Sequence, residues 1–496
     1  MSTDVNTSDV NTSTDVKEYD LIVIGAGAIG ENVADRAVQG GLSALLIEAE
    51  LVGGECSYWA CMPSKALLRP AEAVHAAQHV DGAKEAVTGE IDVEAVLKRR
   101  DSFTSNWDDS GQVAWVKGAG IDLLRGHAVF TGVKEVQVTT PEGETVRLRA
   151  RHAVTASTGS TSLLPDIPGL ADSRPWTSRE ATSAKSVPAR LVIIGGGVVA
   201  AEMATAYVSF GTEVTMLSRS KLLAKEEDFA SLAVTESLRE LGVDVRIGES
   251  ATEVHRDAEG IVHTTLRDGT ELDSEEILVA AGRLPRTGDL GLEAIGLTPH
   301  QWLETDDTLL VLGDDGRPLP GEWLYATGDV NHRVLLTHQG KYQARAAGDV
   351  IAARATGLPV SDAPWGRHVA TADHQSVPQV TFTEPPVASV GLTSVAAEKA
   401  GYRTKVVDYE IGYVAGAGVH IDGYKGHARM VVDEDRKVVL GVTFVGPDVQ
   451  ELLTSATMAI VGEIPLDRLW HVVPAYPTIS EVWLRLLETY GRDASA

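Results

Sequence analysis

Cysteine is almost absent from this 496-residue chain, which has only Cys56 and Cys61. The sequence also lacks a basic excess. Lys and Arg total 43 against 70 Asp and Glu, a formal net charge of −27. Such a surface repels phosphate backbones and anionic lipid, which argues against nucleic-acid and membrane-surface binding. No stretch is long and apolar enough to span a bilayer. Residues Met1 to Val16 are an imperfect Asp-Val-Asn-Thr-Ser repeat without an apolar run. They read as a disordered tail, not as a signal or transit peptide. The expected location is the cytoplasm, where a lone cysteine pair is more often catalytic than structural.

Both cysteines lie in the short stretch from Gly53 to Lys65, separated by four residues. Two thiols this close can close a small disulfide ring. Pro63 suits the first turn of a helix, which puts Cys61 near a helix N-terminus, where a thiolate is favoured. The structural alternatives are a static disulfide or two inert buried thiols. The redox reading therefore depends on the rest of the chain.

The length suggests about three domains, and 44% hydrophobic residues can fill several cores. The run Tyr19–Ile24 reads as a buried parallel strand and feeds into Gly25-Ala26-Gly27-Ala28-Ile29-Gly30. A helical pattern and a second strand, Ser43–Ile47, follow, ending in Glu48. This is a βαβ dinucleotide unit. Gly25 allows the tight turn, Gly27 the approach of a pyrophosphate and Gly30 close helix–strand packing. Glu48, 18 residues after Gly30, is placed for ribose hydroxyls. The cysteine stretch follows at once, an order that suits a flavin facing a disulfide. Lys65 lies one turn after Cys61, near the same ring or simply in solvent.

The segment Ala153–Gly159–Ser160, with Pro165 and Pro168 after it, marks a crossing into a second domain. That domain opens with another copy of the motif: strand Arg190–Ile194, loop Gly195-Gly196-Gly197 with Ala200 in the third glycine position, and strand Glu213–Leu217. The position 18 residues after Ala200 is Ser218, not an acid, and Arg219 and Lys225 follow. A hydroxyl beside cations accepts a 2′-phosphate, so NADPH is favoured over NADH. The alternative is that Arg219 is a solvated surface charge. This domain closes near Gly282. A short strand then ends in Gly328-Asp329, where Asp329 suits the polyol of a flavin. A helix is expected from Thr337 to Ala353, its N-terminus poised for negative charge on the ring. From about His374 the pattern is α+β, with a hairpin turning at Asp433–Lys437.

Flavin loop, CxxxxC, nicotinamide loop, Gly-Asp strand and α+β tail together resemble the class I pyridine nucleotide–disulfide oxidoreductases. This resemblance implies an α/β protein with two Rossmann-like nucleotide-binding domains, for FAD and NAD(P), plus a C-terminal α+β dimerisation domain. The expected divisions are a tail over 1–17, the FAD-binding domain over 18–160 and 283–365, the NAD(P)-binding domain over 161–282 and the dimerisation domain over 366–496. The resemblance implies that Cys56 is the interchange thiol and Cys61 the charge-transfer thiol. It pairs Lys65 with Glu202 near the flavin, and it implies a homodimer. It assigns no metal ligand.

The departures concern the output side. Where such enzymes carry a histidine base oriented by a glutamate, this chain reads Pro474-Ala475-Tyr476-Pro477-Thr478-Ile479-Ser480-Glu481. Tyr476, with an ordinary pKa of about 10, is a poor base at neutral pH. Tyr58 and Trp59 stand between the cysteines, where they either narrow the approach to Cys56 or pack inward. Arg286 replaces a usual asparagine without an evident reason. The favoured reading is an NADPH-dependent, FAD-containing reductase of a disulfide-type, small-molecule acceptor. The alternatives are a reductase of quinones, metal ions or other acceptors, and a redox-silent flavin-binding regulator.

Overall fold

The computed structural model describes residues 16–492. The expected tail lies outside the described residues as far as residue 15. Its expected boundary at residue 17 is corrected, because Lys17 already belongs to the first strand.

The chain opens with β1 (Lys17–Ile24), α1 (Ala28–Gln39) and β2 (Ala44–Glu48). Helices α2 (Gly54–Tyr58) and α3 (Cys61–Gln78) follow directly. Further on come β3 (Asp122–Arg125), β4 (His127–Gly132), β5 (Glu135–Thr139) and the long β6 (Thr145–Ala156). The sheet order is β3-β2-β1-β6-β5-β4. β1 is parallel to both β2 and β6. It is apolar throughout its second half because both faces are covered. Leu21 and Val23 pack with Val33 and Ala37 of α1, while Ile22 and Ile24 enter the core on the opposite face.

A short strand, β7 (Ser160–Ser162), leads out of this unit. Next come β8 (Arg190–Ile194), β9 (Glu213–Ser218), β10 (Asp244–Ile247), β11 (Ala251–Arg256), β12 (Val262–Leu266), β13 (Glu271–Ser274) and β14 (Glu276–Val279). A parallel sheet forms in the order β10-β9-β8-β14, and β11-β12-β13 form a separate antiparallel sheet. The return strand β15 (Arg283–Pro285) pairs antiparallel with β7. Exit and re-entry of the chain are thus stitched together. β16 (Leu324–Ala326) then pairs with β6 and rejoins the first sheet.

The helix Thr337–Thr356 packs on α1. Contact is close enough that a Cβ on Gly340 would lie 2.6 Å from Ile29 Cγ1. The last unit is an antiparallel sheet of β17 (Pro378–Thr381), β18 (Val387–Gly391), β19 (Thr404–Glu410), β20 (His427–Asp433) and β21 (Val438–Val445). Its order is β17-β18-β21-β20-β19. β21 is buried along its whole length, partly under the helices Leu453–Val461 and Val482–Tyr490.

Candidate active site

Cys56 lies on α2 and Cys61 is the first residue of α3. Both are half-buried free thiols. No side chain caps the N-terminus of α3, so its end-on dipole acts on Cys61. Cys61 Sγ also lies 3.3 Å from Thr337 Oγ1, at the start of the helix Thr337–Thr356. The hydrogen bond from Cys56 pulls the Cys61 thiol down to about 6, with Thr337 and the Lys65 charge helping. The same hydrogen bond, with burial, pushes the Cys56 thiol up. The two thiols are thus unequal, with the thiolate favoured on the Cys61 side.

One turn along α3, Lys65 Nζ is 2.6 Å from Glu202 Oε2. Glu202 is buried on the helix Val198–Ser209 between β8 and β9. Its other oxygen accepts from the Phe382 amide at 3.0 Å, and Lys65 Nζ lies 4.7 Å from the centre of the Phe382 ring. A buried carboxylate is tolerable only when its oxygens are satisfied, as these are. This pair ties three parts of the chain together beside the thiols: α3, the second nucleotide unit and the α+β unit.

The two aromatics between the cysteines are each held by neighbours of their own. Tyr58 is buried, and its hydroxyl donates to the Val52 carbonyl at 3.0 Å. Trp59 is covered by Arg179, whose guanidinium carbon is 4.0 Å from the ring centre. The Trp59 carbonyl accepts from Thr182 Oγ1 at 2.8 Å. Arg179 forks onto Glu50 with two 2.8 Å bonds and reaches Glu55 at 3.0 Å. Arg286 adds contacts of 3.6 Å to Glu50 and 3.7 Å to Glu55. Arg286 thus has a structural role that sequence reasoning missed: it helps hold the acidic residues flanking the cysteine segment.

The first glycine loop is built for close approach. Gly25 has φ 98°, and a Cβ there would lie 2.5 Å from the Ser157 carbonyl oxygen. A Cβ on Gly30 would lie 1.9 Å from the Gly25 carbonyl oxygen. Gly27 is the N-cap of α1 and provides no side-chain cap, so the first amides of the helix face an open cradle. Glu48 Oε2 accepts from the Ala26 amide at 2.8 Å, which fixes its carboxylate at the end of β2. Burial pushes its pKa up, and bonds from the Glu50 and Ala26 amides pull it down. Two buried polar atoms near this loop, Thr158 Oγ1 and Glu31 Oε1, have no partner. Burial raises the Glu31 carboxyl to about 7, with Glu48 adding to the rise and Lys341 opposing it. Asp329 accepts from Ser160 Oγ at 2.5 Å and lies 3.6 Å from Arg283 Nε. The stitched strands β7 and β15 therefore position it, and Gly159 precedes β7 with φ 72°. The glycine cradle, the fixed carboxylates and the unpartnered polar atoms fit FAD.

The second loop opens on a cavity of about 1190 Å³ lined by Gly195, Gly197 and Gly282. Lys65 and Glu202 line the same cavity, so it reaches from the second loop to the ion pair by the thiols. Ala200 is fully buried behind the loop. Ser218 lines this cavity at the end of β9; it is largely buried, and its hydroxyl donates to the Ser220 carbonyl at 2.7 Å. Arg219 and Lys225 also line the cavity, joined by Arg267 from the turn between β12 and β13. Arg267 carries no local motif, so sequence reasoning could not single it out.

Tyr476 lies on the α+β unit and is 76% exposed, with Val472 and Val473 also exposed nearby. Glu481 is buried instead, and its carboxylate accepts from the Gly416 amide at 3.3 Å. Within one chain, then, Glu481 is turned toward Gly416.

Two dinucleotide cradles converging on one thiol pair define an oxidoreductase that moves electrons between nucleotides and a dithiol. The chain belongs to the pyridine nucleotide-disulphide oxidoreductase family, whose model matches residues 19–347, while the family's dimerisation domain matches 377–486. A dihydrolipoyl dehydrogenase of Haloferax volcanii is 32% identical over 478 residues, covering 95% of each chain. A mercuric reductase of Staphylococcus aureus is 30% identical over 482 residues, covering 96% of this chain and 83% of that protein. Among solved structures, the HOCl-induced flavoprotein disulfide reductase RclA of Escherichia coli superposes with a TM-score of 0.78 at 23% identity, covering 95% of this chain and 99% of that one. LpdA of Mycobacterium tuberculosis gives 0.79 at 22% identity over the same shares. At these identities the two structures establish the fold. The enzyme is an FAD-containing member of the family that works with NAD(P)H. Among the described residues, no helix is long and apolar enough to cross a membrane.

Proposed function

We propose that this enzyme takes electrons from NADPH, delivers them to the Cys56–Cys61 pair and reduces a small disulfide-type acceptor. The observation that carries this reading is the placement of the two thiols: Cys56 on α2 and Cys61 at the uncapped start of α3, 3.3 Å from Thr337 Oγ1 and one turn from the Lys65–Glu202 ion pair. Bound FAD supplies the relay of an electron pair from nicotinamide to disulfide.

Gly25, Gly27, Gly30 and Glu48 would hold the pyrophosphate and ribose of FAD, with Gly159 and Asp329 toward its polyol. Thr337 and the Lys65–Glu202 pair stand beside the thiols, where they keep Cys61 ionised once the disulfide opens. Cys56 loses its proton on attacking the acceptor disulfide. A Cys56–acceptor bond forms and one acceptor thiolate leaves, taking a proton. Cys61 then attacks Cys56, the second acceptor thiol departs, and the intramolecular disulfide is restored. In sum, the acceptor disulfide, NADPH and a proton become two thiols and NADP+.

The preference for NADPH rests on Arg219, Lys225 and Arg267 lining the cavity of the second loop, with no acid at position 218. A homodimer is part of the same reading. It would cover exposed Val472, Val473 and Tyr476 and carry Tyr476 and Glu481 toward the partner's thiols. The stitched strands β7 and β15 support dividing the chain near 160 and 282, with the last division near 365.

The deciding experiment is anaerobic stopped-flow reduction by NADPH and NADH, followed by turnover on disulfides, quinones and metal ions in wild type and Cys56→Ser. The reading requires disulfide turnover that Cys56→Ser abolishes. Quinone or metal turnover that outpaces every disulfide and survives in Cys56→Ser would sink it.

A further inference from the structure

A buried carboxylate from outside the nucleotide motifs holds the flavin end of the site together. Asp373 lies on the short helix Ala372–Gln375, just ahead of β17. It falls between the two stretches that the family models match, 19–347 and 377–486. Its side chain is 2% exposed. A carboxylate this deep is tolerable only when donors meet its oxygens. Among the described residues three do so. Gln339 Nε2 donates to Oδ1 at 2.8 Å, while Gln343 Nε2 and Arg333 Nε donate to Oδ2 at 3.0 and 2.8 Å.

Each of these bonds reaches a part of the chain next to the thiols or the Gly-Asp turn. Gln343 is fully buried. With its nitrogen on Asp373, its oxygen is turned to the Gly328 amide and to Asn331 Nδ2, both at 2.9 Å. Gly328 directly precedes Asp329. Gln339 belongs to the first turn of the helix Thr337–Thr356, two residues after Thr337, whose hydroxyl lies 3.3 Å from Cys61 Sγ. In the same turn His338 Nε2 lies 2.8 Å from the Pro378 carbonyl oxygen of β17. Arg333, in the loop between turn and helix, also donates to Asp307 at 2.7 Å. One carboxylate thus ties the start of this loop, its middle and its end to a single point.

We propose that Asp373 is a positioning residue for FAD, setting the Gly328–Asp329 turn and the first turn of the helix Thr337–Thr356 relative to one another. This rests on the proposed placement of Asp329 and Thr337 at FAD. The N-terminal end of a helix favours negative charge, so its placement tunes how well the reduced, anionic flavin is held. Asp373→Asn keeps the shape of the side chain but turns one accepting oxygen into a donor. The three-way clamp then cannot close as it stands.

The test uses the FAD-loaded proteins. FAD release on dilution, read as flavin fluorescence, gives Kd, and a dye-coupled redox titration gives the flavin midpoint potential. In Asp373→Asn we expect Kd to rise by about tenfold, the worth of one charge-assisted bond, and the potential to fall. Gln339→Leu cuts only the helix branch and should lower the potential too; it decides the matter should Asp373→Asn not fold. Asp349→Asn breaks a 2.7 Å ion pair with Arg36 on the same helix, 12 residues beyond Thr337, and should leave Kd and potential at wild-type values. Kd and potential unchanged in both Asp373→Asn and Gln339→Leu overturn the proposal. So does an equal change in Asp349→Asn, which would mark a general loosening of the helix. Asp329→Ala tells the two levels apart. Full FAD affinity in that variant overturns the placement of the turn and the proposal with it. Weakened affinity there, with none lost in Asp373→Asn, overturns the role of Asp373 alone.

Discussion

Arg179 sits over the Trp59 ring, with its guanidinium carbon 4.0 Å from the ring centre and its nitrogens on Glu50 and Glu55. The second nucleotide unit thereby grips the segment that carries Cys56. Arg179→Leu uncovers the ring and frees both carboxylates. We expect it to lose about 1–2 kcal/mol of stability, allowing for partial solvent screening. Arg179→Lys keeps the charge without the fork and should recover only part of that. Urea unfolding of the FAD-loaded proteins checks this, and a Leu variant as stable as wild type would remove the grip from the account.

The Cys61 thiol has a folded pKa held below its ordinary value, at about 6. For an acid shifted this way, the thiolate and its stabilising contribution are present at higher pH and are lost as pH falls through 6. In the dithiol enzyme, thiolate absorbance near 240 nm should titrate close to pH 6, and this step should vanish in Cys61→Ser. Lys65→Met should move it upward. A single step near the ordinary thiol value would contradict the geometry.

Glu31 is shifted the other way, to about 7, by burial. The unfolded chain gives up this proton first, so this group lowers stability as pH rises from about 4.5 to 7, with a constant penalty above. Glu31→Gln should therefore be more stable than wild type by about 2–3 kcal/mol at pH 8, with most of the gain gone at pH 5. Denaturant unfolding at the two pH values measures it. An equal gain at both pH values would mean that charge burial is not the cause.

Arg219→Ala and Arg267→Ala each remove one cation from the cavity of the second loop. Each should raise KM for NADPH by about tenfold, the worth of one charge-assisted bond, and barely change that for NADH. Equal effects on both nucleotides would assign these residues to something other than a 2′-phosphate.

Gly30→Ala sets a methyl group against the Gly25 carbonyl oxygen. The first loop must shift, and the purified protein should carry much less FAD, read as absorbance near 450 nm per chain. Full FAD occupancy would show that the loop can relax.

Much of the fold was legible in the sequence because its signals are local. β1, the glycine loop, α1, β2 and Glu48 span a few dozen residues, and each residue type answers a backbone need within that span. The helix from Thr337 runs to Thr356, only slightly beyond its expected end at Ala353. Other parts escaped because nothing local marks them. Ser218 ends the right strand, but only the packed structure shows its hydroxyl donating to the Ser220 carbonyl. Arg267 reaches the nucleotide cavity from a hairpin with no motif of its own.

By itself the sequence determined the two nucleotide loops, the paired cysteines and the α+β tail, since strand period, glycine tolerance and helix ends are short-range matters. Only the tertiary structure decided how the thiols are surrounded. Lys65 and Glu202 are 137 residues apart, and Trp59 and Arg179 are brought together from different units. Contacts at that separation follow from packed cores and sheet register, and these in turn set which thiol holds the charge.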